Sequence, residues 1–305
     1  MNRLVRVVLP MLLTLAVAPC ARAQLGLFSK EQRIDFTREW KGERFPDGRP
    51  RISDELLERM KKAKCEIAWG TMKEAGYKSQ IEGGWKIIHP SERLVGRVVT
   101  AVFMPVRPDM NAVISENGKK EGRVGTGQNS WVIDTLQPND VLVVDMFGKI
   151  EDGTFAGDNL STSIFAKTGT GFVVNGAVRD AGGISEISDR IRVYVRDFHP
   201  SAIADVMLMG INVPIRIGQV TVMPGDVILS DPEGLTFVPP HLAEKVADES
   251  ELALLTDEWG HKMLREGKYT PGQVDSRWTK TMIEEFNRYA EAQGSKVRRK
   301  VEQRP

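Results

Sequence analysis

The chain has 305 residues, of which 41% are hydrophobic and 27% are charged. This composition is typical of a folded globular protein, and it excludes wholesale disorder and a collagen-like repeat. The 42 Lys and Arg residues are balanced by 41 Asp and Glu residues, so the strong basic excess of a nucleic-acid-binding protein is missing. We therefore expect no nucleic acid among its partners.

The first 23 residues have the pattern of a secretory signal peptide. Two arginines precede an apolar run over residues 7–18, and Ala21 and Ala23 stand at the −3 and −1 positions of a cleavage site. The apolar run is shorter than a membrane-spanning helix requires. We predict cleavage after Ala23 and a periplasmic or secreted protein with no membrane contact after cleavage. An uncleaved N-terminal anchor is the alternative.

Cysteine and histidine usage excludes several kinds of site. Cys20 lies within the predicted signal, so Cys65 would be the one cysteine of the mature chain. A single cysteine excludes an internal disulfide and a cysteine-rich zinc site. Cys65 lies in a helical pattern with no histidine nearby, so we expect a buried thiol rather than a nucleophile. No metal-ligand spacing occurs among the four histidines: His89, His199, His241 and His261.

The first half of the chain begins with a polar segment over 24–50, which predicts an extended arm. Ser53 is the predicted N-cap of a helix that ends near Gly76. A glycine-rich segment within 115–130 predicts a flexible loop. Runs rich in Val, Ile and Thr then predict strands at 94–104, 131–134, 140–146, 171–176, 192–195, 213–222, 226–230 and 235–239.

The C-terminal part has helical periodicity over 243–267, and a second helix is expected after Pro271. A basic tail follows. These patterns divide the chain into a signal peptide (1–23), an extended arm (24–50), an α/β domain (51–242) and a C-terminal helical extension with a basic tail (243–305).

The candidate chemistry lies within residues 156–183. The GDNL sequence at 157–160 begins a predicted helix, where free backbone N–H groups can hold an anion. Arg179 and Asp180 follow a predicted buried strand, at the edge where open α/β sheets bind ligands. Together they predict a site for a carboxylated substrate with an oxygen-ligated metal. The alternative is a structural Arg179–Asp180 salt bridge with Asp158 as a simple helix cap.

GDNL at 157–160, followed by NGAVRD at 175–180, resembles the RraA-like family, which includes the 4-hydroxy-4-methyl-2-oxoglutarate aldolases. Segments 89–101 and 224–240 resemble the opening and closing strands of that family, so the resemblance covers about residues 50–250. It implies a compact α/β/β sandwich of the RraA-like type, to which the N-terminal arm and the C-terminal helical extension are added. It also implies a homotrimer or a dimer of trimers with sites between subunits.

The resemblance further implies residue roles. Asp180 would be the protein ligand of Mg²⁺, or of Mn²⁺ or another divalent metal. Arg179 would hold the 2-oxo and carboxylate oxygens of a small 2-oxo acid, and Asp158 would orient a metal-bound water for proton transfer. The same carboxylate would be bound at the start of the predicted helix by Gly157 and by the backbone N–H groups of Asn159 and Leu160.

The implied activity is that of a class II lyase. Such an enzyme cleaves a 4-hydroxy-2-oxo acid to pyruvate, decarboxylates oxaloacetate, or does both, through a pyruvate enolate. An acidic residue from a neighbouring subunit can contribute in the family, and Glu249 and Glu251 are the candidates here. Two alternatives remain: a non-catalytic regulator that binds ribonuclease E, and a periplasmic binding module for 2-oxo acids. The predicted signal peptide argues against a cytoplasmic nuclease as partner.

Overall fold

The computed structural model describes residues 28–300 except 92 and 126. The predicted signal peptide and the end of the basic tail lie outside the described residues. Every helix within them is too short or too polar to span a bilayer.

Ten α-helices and one 3₁₀ turn, at Pro240–Leu242, lie in the described part of the chain. The helices are α1 Lys30–Phe36, α2 Asp54–Met60, α3 Cys65–Glu74, α4 Pro108–Lys120, α5 Gln128–Ile133, α6 Asp158–Thr168, α7 Ala181–Ile187, α8 Ala243–Arg265, α9 Pro271–Val274 and α10 Lys280–Ala292. The strands are β1 Ile81–Glu82, β2 Lys86–Ile88, β3 Val95–Pro105, β4 Asp140–Asp145, β5 Gly171–Val178, β6 Arg192–Phe198, β7 Val206–Ile211, β8 Ile215–Ile217, β9 Val220–Val222, β10 Val227–Asp231 and β11 Gly234–Val238.

Nine strands form one mixed sheet in the order β1-β11-β10-β3-β4-β5-β6-β2, and β7 pairs with the second half of β3. The central strands β3, β4, β5 and β6 are parallel. Their carboxyl ends therefore meet at one edge of the sheet. The strands β8 and β9 form a separate antiparallel hairpin.

The sheet is buried on both faces because its central strands are apolar at successive positions, which point to opposite sides. On one face, Val144 and Val174 pack against the helices α5, α6 and α7. On the other face, Val143 and Val173 pack against the β8–β9 hairpin. These layers are helices, large sheet and hairpin, and they confirm the predicted α/β/β sandwich.

The C-terminal extension is helical, as predicted. The first half of α8 packs with α2 and α3 over β10 and β11. Its second half forms a small core of its own with α10, in which the rings of Trp259 and Trp278 are 4.5 Å apart.

Several sequence predictions are wrong in detail. The stretch at 131–134, predicted as a strand, belongs to α5, because Trp131, Val132 and Ile133 pack as a helix against the sheet. The helix predicted from Ser53 to Gly76 is two helices, although the Ser53 side chain does cap α2 by accepting the Leu56 N–H. The predicted flexible loop within 115–130 is largely occupied by the end of α4 and the start of α5.

The predicted extended arm is also wrong for its described part, because α1 forms there and buried arginines tie the segment to the domain. Arg33 donates to the backbone oxygens of Phe28 and Asn212 at 2.9 and 3.0 Å. Arg49 is 1% exposed, and its terminal nitrogens lie 3.3 and 3.4 Å from the two carboxylate oxygens of the fully buried Asp140. Burial raises the pKa of Asp140, and the charge of Arg49 opposes that rise.

We expect Arg49→Met to lower the free energy of unfolding by about 3–5 kcal/mol, because it leaves a buried carboxylate without its cation. Chemical denaturation of the purified protein measures this. Arg51→Met is the matched control: Arg51 also lies over the Phe45 ring, but it pairs with the exposed Glu43. Equal stability of the two variants would contradict the anchoring role of Arg49.

Candidate active site

The candidate site is built where β5 ends and α6 begins. The segment before α6 runs beside the end of β5: the Phe155 N–H donates to the Ala177 oxygen at 2.9 Å, and the Arg179 N–H donates to the Ala156 oxygen at 3.1 Å. These two bonds fix the start of α6 against the residues that follow β5. Residues 22 and 23 positions apart in the sequence are thereby adjacent in space.

Arg179 and Asp180 lie directly against Gly157. A Cβ added at Gly157 would be 2.5 Å from Asp180 Oδ2 and 2.9 Å from Arg179 Nε. The two side chains form an ion pair, with 3.3 Å between Arg179 Nε and Asp180 Oδ2, and they are 44% and 48% exposed. The absent side chain at 157 is what allows this close approach.

Asp180 has an unusual backbone conformation, with φ of 55° and ψ of 40° at the N-cap of α7. This left-handed region is sparsely populated by residues with side chains, although Asp tolerates it better than most. The conformation turns the chain sharply at the end of β5, so that the carboxylate lies at the sheet edge.

Asp158 is the first residue of α6, and Gly157 is the N-cap. Asp158 Oδ1 accepts the Asn159 N–H at 2.7 Å, so that N–H is engaged within the chain. A Cβ at Gly183 would be 3.2 Å from Asp158 Oδ2, which places this carboxylate against the first turns of α7.

A cleft of about 110 Å³ adjoins these groups. Residues 154–160 and Arg179 form one side of it. The remaining lining comes from three residues that the sequence analysis missed: Asn129, Ala202 and Ile203. Asn129 donates to the Phe155 oxygen at 2.7 Å and thus supports the loop before α6. The sequence signal for Asn129 was its position at the start of a helix, directly after Gly127 and Gln128. The sequence analysis instead predicted a flexible loop over these residues.

The structure thus brings together all six predicted site residues: Gly157, Asp158, Asn159, Leu160, Arg179 and Asp180. The Arg179–Asp180 pair alone does not distinguish a binding site from a structural ion pair. The adjoining glycine, the cleft and the half-exposed position of both charges are what indicate a site.

The donor set at this edge consists of carboxylates. In the described residues, no group of three or more His, Cys, Asp or Glu side chains is arranged to hold a metal ion. A site with one or two carboxylates suits Mg²⁺, which keeps several of its water ligands, and it does not suit zinc. Asp180, half exposed and next to the cleft, fits such a role.

Other candidate residues lie elsewhere. Cys65 is fully buried, with its Sγ 3.5 Å from the Leu229 oxygen, and burial raises its pKa to about 12, so the predicted inert thiol is confirmed. Glu249 lies next to the Thr71 hydroxyl and Lys245, and Glu251 accepts from the Ser295 hydroxyl at 2.9 Å. Both acids therefore lie on α8, away from the cleft of their own chain.

The family model described as "RraA-like: Aldolase/RraA" matches residues 50–237. The chain belongs to the RraA-like family. It is 30% identical over 139 residues to a putative 4-hydroxy-4-methyl-2-oxoglutarate aldolase of Halalkalibacterium halodurans, a match that covers 45% of this chain and 65% of the relative. It is 32% identical over 99 residues to the 4-hydroxy-4-methyl-2-oxoglutarate aldolase of Thermus thermophilus, covering 32% of this chain and 58% of the relative.

Both curated relatives are thus matched over less than two thirds of their length. Among solved structures, Streptomyces coelicolor RraAS2, described as an unusual member of the RNase ES inhibitor RraA protein family, superposes with a TM-score of 0.59 at 25% identity. That similarity covers 70% of this chain and 99% of RraAS2. The family therefore contains proteins named as aldolases and proteins named as inhibitors.

We expect Gly157→Ala to lower kcat/KM for the reaction proposed below at least about tenfold, because the added methyl group displaces Asp180 and Arg179. The atoms that it would meet belong to two half-exposed, flexible side chains, so the melting temperature should change little. Gly182→Ala is the matched control, since a Cβ there meets no atom within 4 Å. Unchanged kcat/KM in Gly157→Ala would show that the close approach has no functional role.

Proposed function

We propose, from this family membership and the geometry of the site, that the protein is a divalent-metal-dependent lyase that releases pyruvate. Its substrate would be a 4-hydroxy-2-oxo acid, oxaloacetate, or both. The observation that carries the proposal is the close approach of Arg179 and Asp180 to Gly157 beside a small cleft.

Arg179 would bind the substrate. Its Nε pairs with Asp180, and its terminal nitrogens form no hydrogen bond with another described residue. A guanidinium with two free terminal nitrogens can hold two oxygens of one 2-oxo carboxylate in a plane. Because arginine stays protonated, this contact persists as negative charge forms on the substrate.

Asp180 would hold Mg²⁺ or Mn²⁺, with water completing the coordination shell. A bound divalent cation polarises the 2-oxo oxygen and stabilises the charge that develops there during cleavage. The ion pair with Arg179 keeps the Asp180 carboxylate next to the bound substrate.

Asp158 would move the proton. In retro-aldol cleavage the C4 hydroxyl loses a proton, the C3–C4 bond breaks, and the electron pair forms the enolate of pyruvate. C3 then takes up a proton. The Asn159 N–H fixes Asp158 Oδ1, which leaves Oδ2 as the oxygen that can hold the transferred proton. In oxaloacetate the bond to carbon dioxide breaks instead, and C3 is protonated in the same way.

We expect Arg179→Ala and Asp180→Ala each to lower kcat/KM for retro-aldol cleavage at least about a hundredfold, since each removes a charge that acts on the developing enolate. Pyruvate release measures the rate, and EDTA should abolish it while added Mg²⁺ restores it. Arg38→Ala and Asp35→Ala are matched controls, because Asp35 near the end of α1 and Arg38 just after it form an exposed Arg–Asp pair at 3.1 Å. Turnover close to that of the wild type by either site variant would refute the assignment.

The similarity to RraAS2 over 99% of that chain favours a regulator that binds an RNase E-type nuclease as the second candidate. Co-purification with such a nuclease, together with no metal-dependent pyruvate release, would support this function instead. Tight pyruvate binding without turnover would support a 2-oxo-acid binding module.

We also propose export and trimeric assembly. We expect the mature chain to begin at Gln24 and to be found in the periplasm or the medium. We expect the assembled protein to have three times the mass of one chain in light scattering. N-terminal sequencing of the fractionated protein and size-exclusion chromatography with light scattering measure both. A cytoplasmic chain that retains Met1 would contradict export, and a monomer would contradict assembly.

A further inference from the structure

A second cavity, of about 190 Å³, lies at the amino-terminal end of β10. It is bounded by the end of α1 and the loop that follows, by the segment after α3, by the turn between β9 and β10, and by the 3₁₀ turn after β11. Val227 pairs with Arg97 near the start of β3, whereas Arg179 follows the end of β5. The cavity is therefore separate from the site proposed above and belongs to the other end of the sheet.

Asp226 lines this cavity and is 3% exposed. Its Oδ2 accepts the Met223 N–H at 2.8 Å, and among the described residues it has no cationic partner. Burial raises its pKa to about 8. A buried carboxyl without a cation is costly, since its charge is neither solvated nor paired.

Asp140 provides an internal comparison. It occupies the same kind of turn, where its Oδ2 accepts the Gln137 N–H at 2.9 Å, and the local sequences PND and PGD are alike. Asp140, however, is paired with the buried Arg49. The turn at Asp226 requires a hydrogen-bond acceptor at this position, and the side-chain oxygen of Asn would be sufficient. The residue is nevertheless an Asp, whose carboxyl has no cationic partner among the described residues and lines a cavity.

Aromatic side chains form part of the cavity wall. Phe36, Trp40, Tyr77 and His241 line the cavity, and the rings of Tyr77 and His241 are 6.0 Å apart. The Tyr77 hydroxyl lies 3.3 Å from His241 Nε2. Faces of aromatic rings attract organic cations, most strongly where water is excluded.

The cavity is negative when Asp226 is ionised, and a bound cation would favour that ionised form. Glu39 is the second carboxylate in its wall, and none of the described lining residues is Lys or Arg. Burial, followed by the charges of Asp226 and Glu39, raises the pKa of Tyr77, so both carboxylates lie near its hydroxyl. Burial lowers the pKa of His241, which keeps the ring neutral at neutral pH.

We propose that this cavity binds a small organic ammonium ion, with Asp226 as its buried counter-ion and the rings of Phe36, Trp40 and Tyr77 as its walls. Mg²⁺ or Ca²⁺ requires about six oxygen ligands, whereas much of this cavity wall consists of aromatic rings, so an inorganic cation does not fit. A primary or quaternary ammonium is bound by a carboxylate together with aromatic side chains, and both kinds of group line this cavity. This proposal does not depend on the lyase activity.

The test is calorimetric titration of the full chain with choline and with its uncharged isostere, in which carbon replaces the quaternary nitrogen. We expect the wild type to bind choline at least about tenfold more tightly than the isostere. Asp226→Asn should weaken choline binding at least about tenfold and leave binding of the isostere unchanged. Trp40→Leu should weaken binding of both compounds, since it removes a wall.

Glu43→Gln is the control, because Glu43 is exposed, pairs with Arg51, and belongs to the same segment without lining the cavity. It should bind choline like the wild type. Asn keeps the acceptor for the Met223 N–H, so Asp226→Asn should unfold at the same or a higher temperature. Choline should raise the melting temperature of the wild type and of Glu43→Gln, but not that of Asp226→Asn. Absence of choline binding to the wild type, equal binding of choline and isostere, or undiminished choline binding by Asp226→Asn would each overturn the proposal.

Discussion

The candidate site depends on one steric constraint, which is that position 157 carries no side chain. The end of β5 and the start of α6 are held together by backbone hydrogen bonds, and Asp180 Oδ2 occupies the space that a Cβ at 157 would need. A parallel sheet brings the carboxyl ends of its strands to one edge, but it does not decide how closely a helix tip approaches them. The glycine decides it here, and a charged pair fills the gap. Catalysis by positioned charges requires that kind of fixed proximity.

The turns at Asp140 and Asp226 are similar, but their surroundings differ. Asp140 and Asp226 make the same backbone hydrogen bond at the start of a buried strand. Asp140 forms an ion pair with Arg49 of the N-terminal segment, and that pair anchors the segment to the domain. Asp226 pairs with no cation among the described residues and lines a cavity instead. Identical local chemistry therefore serves stability at one strand and, in our proposal, recognition at the other.

The sequence predicted the central strands and the spatial grouping of the candidate site residues better than it predicted the periphery. Strands such as β4 and β5 are continuous Val-rich runs, and few other structures bury every residue of such a run. The GDNL and RD segments were recognisable because their spacing follows from one helix and one strand. By contrast, the apolar run at 131–134 also fits a buried helix, and only the tertiary contacts of Trp131 settle which one forms.

The N-terminal segment and the cation cavity could not have been predicted, for a related reason. Arg33 and Arg49 are polar residues in a polar sequence, and they are buried only because their partners come from residues far along the chain. The local sequence pattern of residues 28–50 does not indicate those partners. The cavity likewise combines residues from four separate segments, and its chemistry exists only after they pack.

The two sites also differ in the sign of the charge they can accept. At the carboxyl edge of the sheet, Arg179 has terminal nitrogens that bond to no other described residue, and in our proposal they bind an anionic substrate. At the amino end of β10, Asp226 and Glu39 present carboxylates behind aromatic rings, with no lysine or arginine in the described wall. The anion that binds beside Arg179 would be repelled by the carboxylates of the cavity at β10. The ammonium ion that binds in that cavity would be repelled by Arg179. Because they also lie at opposite ends of the sheet, each site can be occupied or disabled without competition from the other's ligand.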